Sequence, residues 1–109
     1  MDTELVKGTL SLLILSLLNR KAMYGYEIVT TVREETNGAL EWKEGSLYPA
    51  LHKLESSGLI RSRWQGKPGS RRRKYYQLTL AGLAALDEKT RSWSQLCRTV
   101  NQVLEKSDG

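Results

Sequence analysis

Between Arg61 and Lys74 the chain carries seven basic residues (Arg61, Arg63, Lys67, Arg71, Arg72, Arg73 and Lys74) and no acidic one. Cationic groups at that density neutralise phosphates and release the counterions condensed on them, which attracts nucleic acid of any sequence. A charge run is more commonly a solvated or flexible tip. Here it holds seven of the 17 basic residues and contains a Gly/Pro turn, GKPGS. Just upstream, EGSLYPALHKLESSGLI sets Leu47, Ala50, Leu51 and Leu54 at helical spacing. The opposite side of that helix groups Ser46, Tyr48, Pro49, His52, Lys53 and Ser56. Such side chains donate to phosphates, hydrogen-bond to base edges, or pack on sugars and thymine methyls. A solvated helix face seldom places Tyr beside Pro.

Other chemistries find little to work with. His52 is the only histidine and has no cysteine or carboxylate at ligand spacing, so it reads as a polar contact and not a metal ligand. Cys97 is the only cysteine, which excludes an internal disulfide and fits a reducing cytoplasm. No Ser/His/Asp or Cys/His arrangement and no Gly-rich phosphate loop is present, so neither an enzyme nor a cofactor is expected. The formal charge of +5 and pI near 9.5 favour an acidic partner. The apolar run LSLLILSLL follows Asp2 and Glu4 where a signal peptide would be basic, and it is far shorter than the ~20 residues that span a bilayer. It reads as a core helix of a cytoplasmic protein with no membrane partner.

These residues need a scaffold, and the periodicities supply one. A first helix is expected from Thr3 to Asn19, apolar on most sides, which asks for more than one partner surface. After a turn at Arg20–Met23, Ile28, Val29 and Val32 form the inner face of a second helix that Asn37–Gly38 close. Ser46 is the expected N-cap of the third, with Pro49 in its first turn and Gly58 at its end. The period then changes to two: Ile60, Ser62 and Trp64 alternate with Arg61, Arg63 and Gln65, and RKYYQL returns as the second strand of a hairpin. Three helices followed by a hairpin give a winged helix-turn-helix, whose third helix enters the DNA major groove. The fold class is therefore mainly α with a small β-hairpin. Residues 1–78 form the DNA-binding domain, and residues 79–109 a dimerisation helix capped by Thr79, running to about Glu105 before a frayed KSDG.

That last helix carries a heptad seam: Leu83, Leu86, Thr90, Trp93, Cys97, Val100 and Leu104. At 1.5 Å per residue its roughly 26 residues reach about 39 Å, too long for a compact domain of this size. It should project and pair with a second copy through Leu86, Trp93, Cys97, Val100 and Leu104, while Leu80 and Leu83 near its start pack on their own domain. An aromatic residue at helical spacing is usually core. Trp93, with polar Thr90 a turn away, could instead hold the helices apart around a ligand pocket.

KGTLSLLILSLL, MYGYEI, EGSLYPALHKLESSGLI and RRRKYYQLTLAG, in that order, resemble the PadR family of bacterial transcriptional regulators, over about Leu5 to Val103. The single C-terminal helix resembles its smaller subfamily. The resemblance implies a homodimeric winged-helix protein, usually a repressor, on an inverted-repeat double-stranded DNA operator. It also implies dimerisation through the last helix clasping the partner's first. DNA contacts would fall at Ser46, Tyr48 and His52 or Lys53 on the reading helix and Arg71–Lys74 on the wing, with Gly25 and Gly58 structural. Some members hold flat aromatic drugs between tryptophans at the dimer centre, where Trp93 would stand, which implies a planar aromatic effector. Other members sense phenolic acids or metals. The alternatives are a nonspecific nucleic-acid-binding protein that uses only the basic wing, and a drug-binding scaffold in which the wing is incidental.

Overall fold

The computed structural model describes residues 1–107 and consists of five helices and three strands in these residues. The order is α1 (Thr3–Lys7), α2 (Leu10–Arg20), β1 (Met23–Tyr24), α3 (Gly25–Glu35), α4 (Glu44–Ser56), β2 (Ile60–Gln65), β3 (Arg73–Leu78) and α5 (Leu80–Ser107). Ile14, Leu15, Ile28, Leu47, Leu51 and Ile60 are fully buried, so α2, α3, α4 and β2 all contribute to one core. Burial of such a side chain is worth about 1.5–3 kcal/mol.

The first helix is interrupted. At Thr9 both the amide (3.0 Å) and the hydroxyl (2.8 Å) donate to the Val6 carbonyl, and α1 ends at Lys7 with Gly8, a poor helix former, as its C-cap. The expected burial holds for α2, where Ile14, Leu15, Leu17 and Leu18 are enclosed, but α1 buries nothing. The third helix starts earlier than its sequence suggests. Lys43 occupies the cap position of α4, with its carbonyl accepting from the Ser46 and Leu47 amides, so Ser46 lies in the first turn and caps nothing. The expected stops hold: Asn37 and Gly38 end α3 at φ 52° and 81°, and Gly58 follows α4 at φ 77°.

The sheet has three strands, not two. The stretch expected to be a plain turn ends in β1, which pairs antiparallel with β3 through Met23↔Tyr76 and Tyr24↔Tyr75. A two-residue strand is too short to show periodicity. The order β1-β3-β2 leaves β2 as an edge, and its register with β3 runs from Ile60↔Leu78 to Gln65↔Arg73.

Thr79 ties the long helix to this sheet. Its hydroxyl accepts from the Gly82 amide (3.0 Å) as an N-cap and donates to the Gly58 carbonyl (2.7 Å). Gly82 sits so close to β2's approach that a β-carbon there would fall 2.0 Å from the Leu59 carbonyl oxygen. Ala85 and Leu86 then pack on the core. Leu80 and Leu83 do not take that role: Leu80 is 87% exposed, because it precedes the turn that faces α2. Beyond Leu86 the helix runs past the α1–α2 junction as far as Leu96 and then projects, giving a molecule 66 × 29 × 21 Å in extent. Lys106 and Ser107 still belong to α5; Asp108 and Gly109 lie outside the described residues.

Candidate nucleic-acid interface

Helix α4 is anchored by Leu47, Leu51 and Leu54, none more than 5% exposed. This packing turns Ser46, Tyr48, Pro49, His52 and Lys53 to solvent, as their spacing requires. Tyr48 is only half free. Its ring lies against Gly25 at the start of α3, which fixes one edge of the phenol and leaves the other over the groove beside α4.

That groove joins the reading helix to the wing. Tyr48 and His52 form one wall, Arg71, Arg72, Arg73 and Lys74 the other, and Tyr24, Tyr26, Trp64 and Tyr76 complete the lining. The structure thus brings together two stretches about twenty residues apart in the chain. The aromatic lining is the part that sequence reasoning missed. Tyr26 is 64% exposed and Trp64 58%, so both present ring surface to the groove mouth. Strand alternation does place Trp64 on the face of Ile60, but nothing in the spacing assigns Tyr24 or Tyr26 to the same groove.

Alternation also divides the basic wing. Lys74 and Tyr76 face inward toward α4, with the Lys74 ammonium 5.7 Å from the Tyr76 ring centroid. Arg73 and Tyr75 alternate to the other face of β3, where Tyr75 meets Tyr24 edge to face at 5.4 Å, and the Arg73 guanidinium reaches back 4.4 Å over the Tyr24 ring that lines the groove. Lys67, Arg71 and Arg72 stand around the exposed turn. The four consecutive cations of Arg71–Lys74 therefore do not form one flat patch.

A polar strut sets the angle between helix and wing. The Ser62 hydroxyl donates to the Glu55 carboxylate at 2.5 Å, linking the last turn of α4 to β2. Tyr76 pairs across the sheet with Ser62. Burial pushes the Tyr76 phenol above its ordinary pKa, and the nearby Glu55 carboxylate and Tyr48 add to the shift. Tyr76 stays neutral and acts as a wall of the groove.

The projecting helix is apolar along one side. Trp93 (45% exposed), Val100 (44%) and Leu104 (57%) lie open, and Leu96 (55%) and Val103 (65%) widen the stripe beyond the heptad read from sequence. Cys97, a free thiol, is half-buried between them. Trp93 lines a second groove, formed where α5 passes the α1–α2 break at Gly8, Ser11 and Leu12. Thr90 is turned elsewhere: its hydroxyl donates to the Leu86 carbonyl (2.8 Å), and the polar groups beside Trp93 are Ser11, Glu88, Lys89 and Ser92. No helix among the described residues is long and apolar enough to cross a membrane.

With this geometry in view, comparison with known proteins gives a consistent picture. The model of the transcriptional regulator PadR-like family matches residues 14–88. A transcriptional regulator from Clostridium thermocellum superposes with a TM-score of 0.87 at 31% identity, covering 94% of this chain and 96% of that one. A PadR family regulator from Eggerthella lenta gives 0.84 at 40% identity, covering 94% and 87%. Bacillus subtilis PadR, solved in complex with operator DNA, gives 0.68 at 30% identity over 75% of this chain and 47% of that chain.

Proposed function

The chain belongs to the PadR-like family of transcriptional regulators, and we propose that it works as a homodimeric repressor on an inverted-repeat duplex operator. Helix α4 enters the major groove, where Ser46, Tyr48, Pro49, His52 and Lys53 meet base edges and sugars, while Arg71–Lys74 hold the flanking backbone. The observation that carries this reading is the shared groove that sets Tyr48 and His52 opposite Arg71–Lys74. The operator complex of the Bacillus subtilis relative supports it. The dimer rests on the apolar stripe of α5, through Leu86, Trp93, Cys97, Val100 and Leu104. Two-fold symmetry then spaces the half-sites by about one helical turn or a multiple of it, ~10 bp each.

Effector response belongs to the same proposal. Trp93, half exposed beside the α1–α2 break, offers a ring face to a planar aromatic compound between the protomers. A ligand there shifts the equilibrium only as far as it prefers the spacing of reading helices that cannot engage DNA.

The test is competition between a duplex enriched from a random pool and random-sequence duplex at one fixed salt concentration. A specific regulator prefers the enriched duplex by ~10³-fold or more. Equal affinity for the two would discard the operator and leave a nonspecific binder that uses the wing alone.

A further inference from the structure

The wing has a second charged face that the groove beside α4 does not use. Arg61 and Arg63 alternate with Ile60, Ser62 and Trp64 along β2, so they point away from α4, to the outer side of the sheet. There they stand opposite Gln77 and Tyr75 of β3. Both arginines of β2 are exposed, and neither takes part in an ion pair among the described residues. Glu27, near the start of the sheet, is engaged by Lys21 at 2.9 Å.

We propose that this outer face is a second phosphate-contacting surface, so that the wing meets two strands of DNA backbone, one on each side. Arg71, Arg72 and Lys74 serve the strand next to the reading helix, and Arg61 and Arg63 the strand across the minor groove. Residues two apart on a strand lie about 6.6 Å from one another, which lets two guanidinium forks reach neighbouring phosphates. Charged residues on an edge strand also guard against edge-to-edge pairing. Lysine does that as well as arginine, whereas planar bidentate donors are the choice for phosphate. The inference rests on the DNA-binding reading above and assigns a partner to side chains which that reading leaves idle.

The experiment measures duplex affinity against salt concentration, using a long random-sequence duplex, for four proteins. These are the unmodified chain, Arg61→Gln/Arg63→Gln, Arg61→Lys/Arg63→Lys, and Arg72→Gln. Each lost phosphate contact makes the log–log slope shallower by about 0.9. The Gln pair is expected to lower the slope by about 1.8, the Lys pair to keep it while binding somewhat more weakly, and Arg72→Gln to lower it by about 0.9. An unchanged slope in the Gln pair, with Arg72→Gln still shallower, overturns the second face and leaves the DNA-binding reading standing. Aggregation of the Gln pair with an unchanged slope in the soluble fraction overturns it too, and assigns the arginines to edge protection. Absence of salt-dependent duplex binding by the unmodified chain overturns the DNA-binding reading itself, and this inference with it.

Discussion

The Tyr48 ring rests on Gly25 so closely that a β-carbon at position 25 would lie 2.6 Å from the phenol oxygen and 3.0 Å from Cζ. Gly25 is not there for torsional freedom, since its φ is not in the left-handed region. It gives the reading helix's tyrosine a place to lie. The atom that would be struck is the far end of a side chain 40% exposed, so Tyr48 can swing away.

Gly25→Ala should therefore change stability little and DNA affinity more. A double-mutant cycle with Tyr48→Ala checks the mechanism: in the Tyr48→Ala background, Gly25→Ala should cost nothing further in DNA affinity. Additive losses would show that Gly25 acts through something other than Tyr48.

Gly82→Ala should behave differently, because the neighbour is the backbone carbonyl of Leu59, backed by the Leu78 side chain at 2.7 Å. Neither can leave without moving β2's entry or the start of α5. Overpacking of this kind costs about 1–3 kcal/mol, occasionally more, and urea unfolding should report a loss at the top of that range. A midpoint like that of the unmodified protein would mean that α5 is not pinned there.

Val100→Glu together with Leu104→Glu should give monomers that keep their helical circular dichroism, because both side chains are open in the single chain. Leu86→Glu is the contrasting case, since Leu86 packs on the domain core and its replacement should lower stability outright. Sedimentation of the unmodified protein as a monomer at micromolar concentration would remove the dimer from the proposal.

Trp93 fluorescence should be quenched by planar cationic dyes, since a desolvated cation–π contact is worth up to ~2 kcal/mol. Trp93→Ala should abolish that quenching, with Trp42 and Trp64 as internal references. Quenching that survives the substitution would place the dye elsewhere, and the aromatic groove holding Trp64 would be the next place to look.

Stability should weaken slightly in acid through Glu35. The Arg20 guanidinium donates to its carboxylate (3.0 Å through Nη2), and this hydrogen bond holds the Glu35 carboxyl below the ordinary carboxylate range against a small opposing desolvation. A depressed folded-state pKa contributes stability that is present above the unfolded value and lost as pH falls through the folded one. Glu35→Gln should make the acid limb of the stability profile shallower and leave the neutral region almost unchanged, because the pair is exposed to solvent. An acid limb identical in both proteins would show that the pair contributes nothing.

Much of the molecule was legible from residue type and spacing. The leucines of α4 face inward because apolar groups at helical period have only one way to leave water, and that alone turns Tyr48 and His52 outward. Gly58 and Asn37–Gly38 end helices by a local backbone preference, and the alternation of β2 follows from the pleat. What the chain could not announce depends on parts distant in sequence meeting in space. β1 exists only because β3 offers it a partner. The strut from Ser62 to Glu55, the seat of Tyr48 on Gly25 and the wedge of Gly82 against Leu59 are decided by packing between elements, which no periodicity encodes. The basic run shows the division most clearly. Its charge was fixed by composition, but the tertiary structure decided which arginines look toward the reading helix and which look away, because opposite faces of one strand meet different surroundings.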